Sequence, residues 1–331
     1  MEQPKPKAGG AARPARVDCA IAIVTYNSAQ DIVQLLECLP ASVAGLTSRT
    51  FVVDNGSTDA TVKLVRGFPG VNCVPVHANL GYAGAVNVAR QEAGGYHSLL
   101  VLNPDLVLEP GAVRQMFTAL SNPGTGIIVP RLVDLDGRCF PSLRREPTLM
   151  RAVGDGLLGN RLSGRPGWLS EIVREESAYD SRHRVDWATG AALLISAACD
   201  RSVGQWDERF FLYSEETDYA ARARAAGFRV EYLPAAVARH RGGGSGQSHA
   251  LTALMAVNRV RYREKLGNHA RAYRAAVALA EAMRSRDPGH RTALQTVLRR
   301  SRWPVLIEGL KAAPTDEAAR APARRVASKA G

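Results

Sequence analysis

The chain has 331 residues, 46% of them hydrophobic, with 43 Lys/Arg against 31 Asp/Glu and a formal net charge of +12. That length buries one large core or two modest ones, and that apolar fraction excludes a disordered or fibrous protein. No run of about eighteen apolar residues occurs and the start is Lys/Pro/Gly/Ala-rich, so neither a spanning helix nor a secretion signal is expected and the expected location is cytoplasmic.

Residues 1–16 hold no large apolar side chain beyond Met1 and are expected to be disordered. Strands are expected from residue 17 or 18 to Thr25, over 50–53, over 71–76 and from Leu99, separated by helices that carry Leu35, Leu36 and Leu39, then Val62 and Val65, then Val86 and Ala89. This β-α-β-α-β-α-β order over short links indicates a parallel α/β sheet, whose ligand lies at the carboxyl ends of the strands. The ends are polar throughout: Thr25, Tyr26 and Asn27; Asp54 and Asn55; His77 and Asn79; Asn103 and Asp105. Asp105 stands out, because LLVLNPDLVL is an apolar strand interrupted by Asn103-Pro104-Asp105, and the proline halts regular pairing there. An ordinary Asn/Pro/Asp turn would look the same.

A helix near 112–120 leads to a strand, a turn at 134–137 and a further strand. Residues 151–182 are rich in Gly, Arg and Ser with weak periodicity and are expected to form a mobile loop facing an acceptor. After a glycine-hinged strand around TGAALLI come Glu215, Glu216 and Asp218 in the first turn of a helix that ends at Gly227. Acids there are favoured by the helix dipole, so capping accounts for one or two of them. A strand then reaches His240, ahead of a glycine-rich run, Gly242 to Gly246, whose amides can approach an anion. From about residue 250 the chain is helical and basic, and residues 311–331 are expected to be disordered.

The charge belongs to the ends: residues 258–331 hold seventeen Lys/Arg against six Asp/Glu, and the first seventeen residues four against one. A basic tail suits nucleic acid, an anionic membrane surface or solubility alone. The five cysteines are scattered without a CxxC pair, which fits reduced structural thiols. Neither GxGxxG after the first strand nor GxxxxGK[ST] is present, which argues against a nicotinamide enzyme or a P-loop.

VTYN, VVDNGSTD, NLGYAGAVN, LNPDL, TGAALLI, WDERFFLYSEETDYAARARAAGF and HRGGGS, in this order, resemble the family 2 inverting glycosyltransferases of GT-A fold, and within them the bacterial rhamnosyltransferase-like branch. The likeness spans about residues 18–265. It implies a Rossmann-like, mostly parallel sheet flanked by helices over residues 17–249, in donor (17–108) and acceptor (109–249) halves, and a basic helical extension over 250–310. It also implies a nucleoside-diphosphate donor, best dTDP-rhamnose or a UDP-sugar, and a lipid-linked or polysaccharide acceptor. Where the family carries DxD, this chain reads Asn103-Pro104-Asp105, so Asp105 is the retained ligand of Mn²⁺ or Mg²⁺, with His240 as the second. The base falls to Glu216, where relatives end an acidic pair in Asp. Thr25, Tyr26, Asn27, Asp54, Asn79, Gly81, Asn87 and Asn103 would line the donor; Trp187, Gly190, Asp207, Glu208 and Glu215 would shape the acceptor and sugar pocket.

Other readings stay open on the sequence. A nucleotidyltransferase lacks its Gly/Lys-rich signature here. A nucleic-acid binder would interleave aromatics among its arginines, yet only Tyr262, Tyr273 and Trp303 follow residue 258. A non-catalytic sugar-nucleotide binder fits the Asn103 and Glu216 departures. The basic extension could lie on anionic lipid at the inner face of the cell membrane, or could be an oligomerisation or merely solvated helix.

Overall fold

Three βα repeats build one half of the sheet. The computed structural model describes residues 16–158, 166–242, 248–267 and 269–312. The repeats run β1 (Val17–Thr25), α1 (Ile32–Ser42), β2 (Ser48–Asp54), α2 (Thr61–Arg66), β3 (Val71–Pro75), α3 (Gly81–Glu92) and β4 (Tyr96–Leu102). Their strands pair in parallel in the order β3-β2-β1-β4, as the alternation predicts. Both faces of this sheet are covered, so β1 and β4 read as continuous apolar runs. Alternate residues take opposite sides: Ala20, Ala22, Leu99 and Val101 pack with α3 in one core, and Ile21, Ile23, Leu100 and Leu102 with α1 in the other. The small side chains on the α3 face match a helix rich in Gly and Ala, which lets helix and strands approach closely.

The second half departs from the expected order. It comprises β5 (Leu106–Leu108), α4 (Ala112–Ala119), β6 (Thr125–Val133), β7 (Leu143–Arg144), α5 (Leu149–Leu158), β8 (His183–Arg184), β9 (Trp187–Ala188), β10 (Ala192–Ser196), α6 (Ala197–Val203), α7 (Glu215–Ala225) and β11 (Arg229–His240). The sheet continues β4-β10-β6-β11-β5, with β10 antiparallel to both neighbours and β11 parallel to β6. The strand expected after the turn at 134–137 reduces to one bridge, Val133 to Cys139, while β7 and β9 form a separate two-stranded ladder. β11 reaches His240, as expected, and bulges on the way between Leu233 and Val237, around Pro234, which has no amide to donate.

The expected loop 151–182 is corrected in part. It opens inside α5, whose Ala152 is buried among the C-terminal helices, and it carries short 3-10 turns at 167–169 and 176–179 before β8 pairs on the edge of β11. Residues 159–165 of it lie outside the described residues, as do 1–15 and 313–331 of the expected tails and 243–246 of the glycine run.

Four helices follow: α8 (His249–Leu266), α9 (Ala270–Met283), α10 (Pro288–Leu298) and α11 (Arg302–Ala312), so Lys311 and Ala312 of the expected tail are helical. They share a core built on Ala253, Val257, Val260, Tyr273 and Val297. Basic residues of α8 pair with carboxylates of the preceding part of the chain: Arg259 with Glu171 at 2.7 Å, and Lys265 with Asp207 at 2.8 Å and with Asp218 of α7 at 2.6 Å. Among the described residues no helix is long and apolar enough to cross a membrane.

α3, β4, α6 and α7 are joined by one buried carboxylate. Asp200, 2% exposed, accepts from Arg90 at 2.8 and 3.0 Å, from the Tyr96 hydroxyl at 2.6 Å and from the Tyr219 hydroxyl at 2.9 Å. Replacing one partner of such a network strands the others, so Asp200→Ala is expected to lower stability by about 3–5 kcal/mol, read from the urea midpoint at unchanged slope.

Candidate active site

A cleft of about 1610 Å³ opens at the carboxyl ends of β1, β2 and β4. It is lined by Thr25, Tyr26, Asn27, Asn55, Asn79, Gly81, Asn103 and Asp105 together with Trp187, Gly190, Glu215, Glu216 and His240. Most of the residues singled out by sequence therefore meet in one place.

Five of them do not reach it. Asp54 is 1% exposed and turned behind the wall, where its two oxygens accept from Gly56 and Ser57 amides and from the Thr25 and Ser57 hydroxyls. It shapes the loop that presents Asn55 and is not itself in the cleft. Asn87 is closed off by Trp206, exchanging hydrogen bonds with its backbone N–H and C=O at 2.9 and 3.0 Å, and it also donates to Glu208 at 2.9 Å. Glu208 is thereby held outside the cleft. Asp207 sits between Arg209 and Lys265; the Arg209 hydrogen bond holds its carboxyl well below the usual range. His77 is exposed and also off the cleft.

Asp105 and His240 are brought together by strand register. β5 and β11 pair antiparallel with Leu106 opposite His240, and the Arg241 amide donates to the Asp105 carbonyl at 3.2 Å. His240 Nε2 stands 3.3 Å from Asp105 Oδ1, yet neither Asp105 Oδ1 nor His240 Nδ1 has a hydrogen-bond partner. Burial raises the Asp105 carboxyl, but the His240 contact and charge and the Arg241 charge outweigh it and hold it below the usual carboxylate range. Arg241 is fixed by a two-pronged pair with Asp31, at 2.7 and 2.6 Å. No three His, Cys, Asp or Glu side chains converge among the described residues. A cation here would take Asp105 and His240 from the protein and oxygens from ligand and water, and the orphaned carboxylate oxygen fits that use.

The acidic pair opens α7. Glu215 is 4% exposed; burial and the Glu216 charge push its carboxyl far up. Glu216 faces the cleft beside Gly190, and burial pushes it up to about 7 against the pull of nearby amides and Arg144. Each keeps one oxygen without a partner. The two buried carboxyls titrate as a pair, which therefore keeps a proton well above the usual carboxylate range.

The segment that delivers this pair is strained. Phe211, Tyr213 and Ser214 have φ of 64°, 70° and 69°, which costs about 1–3 kcal/mol each in non-glycine residues. Two contacts hold it. Gly81, at φ 73°, lies so close that a Cβ there would meet the Phe211 carbonyl at 2.3 Å, and the Tyr82 amide donates to that carbonyl at 2.6 Å. From α8, fully buried Asn258 donates through Nδ2 to the carbonyls of Phe210, Leu212 and Tyr213 at 2.5, 2.8 and 3.1 Å. Sequence reading missed Asn258, and it missed Tyr82, whose hydroxyl donates to Gly190 at 2.8 Å. A lone Asn in a basic helix carries no local signal; only the fold brings it to the loop.

Comparison with known proteins follows the same lines. The model of Glycosyl transferase family 2 matches residues 20–164. The N-acetylglucosaminyl-diphospho-decaprenol L-rhamnosyltransferase of Mycobacterium tuberculosis is 32% identical over 243 residues, covering 70% of this chain and 78% of its own. The chain belongs to glycosyltransferase family 2. A low-salt glycan biosynthesis hexosyltransferase, Agl10 of Haloferax volcanii, is 28% identical over 217 residues, 64% of each chain. Among solved structures, the mannosyltransferase PcManGT from Pyrobaculum calidifontis, in complex with GDP-Man and Mn²⁺, superposes with a TM-score of 0.53 at 15% identity, over 89% of this chain and 87% of its own. The family 2 transferase thus has the expected GT-A architecture, a mostly parallel sheet flanked by helices with a helical C-terminal region.

Asn258→Ala leaves buried carbonyls without a donor, at about 1–3 kcal/mol each. It is expected to raise hydrogen exchange at residues 210–214 and to cut turnover of the transferase more than it changes donor affinity.

Proposed function

We propose that this family 2 glycosyltransferase moves a sugar, best L-rhamnose from dTDP-rhamnose, with inversion, onto a lipid-linked or polysaccharide acceptor in cell-surface glycan synthesis. The observation that carries it is the set of partnerless polar atoms facing one cleft: Asp105 Oδ1 on the donor side, Glu216 Oε2 on the acceptor side. Buried polar atoms without partners are costly unless a ligand meets them. The relative whose name records a rhamnosyl transfer to a decaprenol-linked acceptor supports the choice of sugar and acceptor.

In this reading the nucleoside end lies along Thr25, Tyr26, Asn27 and Asn55, and the sugar and diphosphate lie near Asn79, Gly81 and Asn103. Asp105 and His240 hold Mn²⁺ or Mg²⁺, a preference supported by the Mn²⁺ recorded with the structural neighbour. When bound, the cation neutralises charge on the departing diphosphate. Glu216 accepts the proton of the acceptor hydroxyl as that oxygen bonds to the anomeric carbon and the bond to the diphosphate breaks. The proton that the buried pair retains keeps a second negative charge away from the acceptor. Trp187 and Gly190 form the acceptor wall. Asp54 and Asn87 act behind the donor site as organisers of its loops, and Asp207 and Glu208 as props of the segment before α7. The unit acts without a spanning helix among its described residues, at the inner face of the membrane where a lipid-linked acceptor is reached.

Purified protein with a panel of nucleoside diphosphates and their sugars, with Mn²⁺, Mg²⁺ or chelator, tests this. Thermal stabilisation by dTDP or UDP that needs metal and disappears in Asp105→Ala is expected; no stabilisation by any of them sinks the reading. Glu216→Gln is expected to lower kcat by about 10²–10⁴-fold while donor still stabilises the protein.

Protonation gives a separate check. A carboxyl whose folded value is raised stabilises the fold at low pH and loses that contribution as pH rises from its unfolded value, about 4.3, through about 7. Turnover in the wild type should accordingly rise through pH 7. The melting temperature of Glu216→Gln should gain on the wild type over the same interval, and parallel melting curves from pH 5 to 8 would count against the assignment.

A further inference from the structure

The stretch of cleft wall beside Glu216 runs from β9 to the start of β10, residues 187–191, and it is tied down at successive points. The Trp187 indole donates to the Arg145 carbonyl at 3.0 Å, with the Arg144 guanidinium 6.0 Å over its ring. Ala188 pairs in register with Leu143 across the β7–β9 ladder. The Thr189 amide donates to the Ser142 carbonyl at 3.1 Å, the Gly190 carbonyl accepts from the Tyr82 hydroxyl at 2.8 Å, and the Ala191 carbonyl accepts from the Asn103 amide at 2.9 Å. Three distant parts of the chain thus fix the backbone of this wall.

The Thr189 side chain is the exception. It lines the cleft, yet its Oγ1 is buried and has no hydrogen-bond partner. Among the described residues it is the one buried hydroxyl of the cleft wall in that state. Such a group is costly until a ligand meets it. Its place gives it a meaning. Gly190, the next residue, lies against Glu216: a Cβ there would meet the Glu216 side chain at 3.7 to 3.9 Å. One staggered step about χ1 exchanges the threonine hydroxyl with its methyl, so the wall can turn a donor and acceptor toward an occupant without moving its backbone. Sugars carry polar groups on adjacent ring carbons, which lets one meet Glu216 while its neighbour meets the wall.

We infer that Thr189 is a specificity-determining residue for the acceptor, its hydroxyl hydrogen-bonding the sugar hydroxyl or amide next to the hydroxyl that Glu216 engages. The inference rests on the transferase reading for the role of Glu216. Threonine suits the task because one hydroxyl both donates and accepts, and a site built around such a bond discriminates against a sugar that lacks the matching group far more sharply than an apolar wall does.

The full chain, with Mn²⁺ and dTDP-rhamnose or a UDP-sugar, is assayed on octyl glycosides of N-acetylglucosamine, glucose and galactose and on their monodeoxy derivatives. Thr189→Val keeps the side-chain shape and removes the hydroxyl. It is expected to lower kcat/KM for the preferred glycoside by about tenfold or more while dTDP or UDP stabilises the protein as before, and Thr189→Ser should restore most of the loss. One monodeoxy glycoside should show the same loss with the wild type and no further loss with Thr189→Val, a pairing that a role confined to holding the wall does not produce. Equal kcat/KM in wild type and Thr189→Val, a loss shared evenly by every deoxy glycoside, or a loss of dTDP and UDP binding overturns the inference. Binding of the same glycosides is titrated with dTDP present. Glycosides held about tenfold more tightly by the wild type than by Thr189→Val, without any turnover, sink the transferase reading and sustain the contact. A wild type that binds none of them overturns the inference.

Discussion

The three carbonyls gathered by Asn258 are the constraint on which the site depends. A backbone with three left-handed residues in four does not persist by itself, and here it must persist, because it sets the first turn of α7 and with it both glutamates. The hold comes from two distant directions, Gly81 at the start of α3 and Asn258 on α8. The donor half, the acceptor half and the C-terminal helices thus meet at one peptide segment. What the sequence presents as a basic appendage is structurally part of the segment that sets the acidic pair.

Charge placement follows the same economy of partners. Ordinary buried acids in this fold are saturated: Asp54 with four donors, Asp200 with Arg90 and two tyrosines, Asp218 with Arg222 and Lys265. Asp105, Glu215 and Glu216 are the exceptions, and all three face the cleft. The contrast separates acids that hold the structure from acids kept available for a ligand, which residue type alone does not do.

Much of this was legible before any coordinates. The parallel repeats follow from apolar runs alternating with short helices, and the rule that ligands lie at strand carboxyl ends picks out Thr25, Asn55, Asn79 and Asp105 without further input. What escaped depended on contacts between remote residues. Nothing local in TGAALLI says that its strand runs antiparallel between β4 and β6. Periodicity across 151–158 is too short to separate a helix from a loop, and α5 is stabilised by a core supplied a hundred residues later. Asp54 carries the right chemistry at a strand end and Asn87 on the helix α3, but Ser57 and Trp206 reach them first.

The pairing of β5 with β11 has a consequence for how the protein comes into being. Asp105 is made early, His240 much later and Asn258 later still, so under the proposed function the cation pair and the clamp on the acidic pair are both completed only when the last helices are being made. A chain cut short before His240 would lose, on that reading, its metal-dependent hold on a nucleotide together with the clamp on its base.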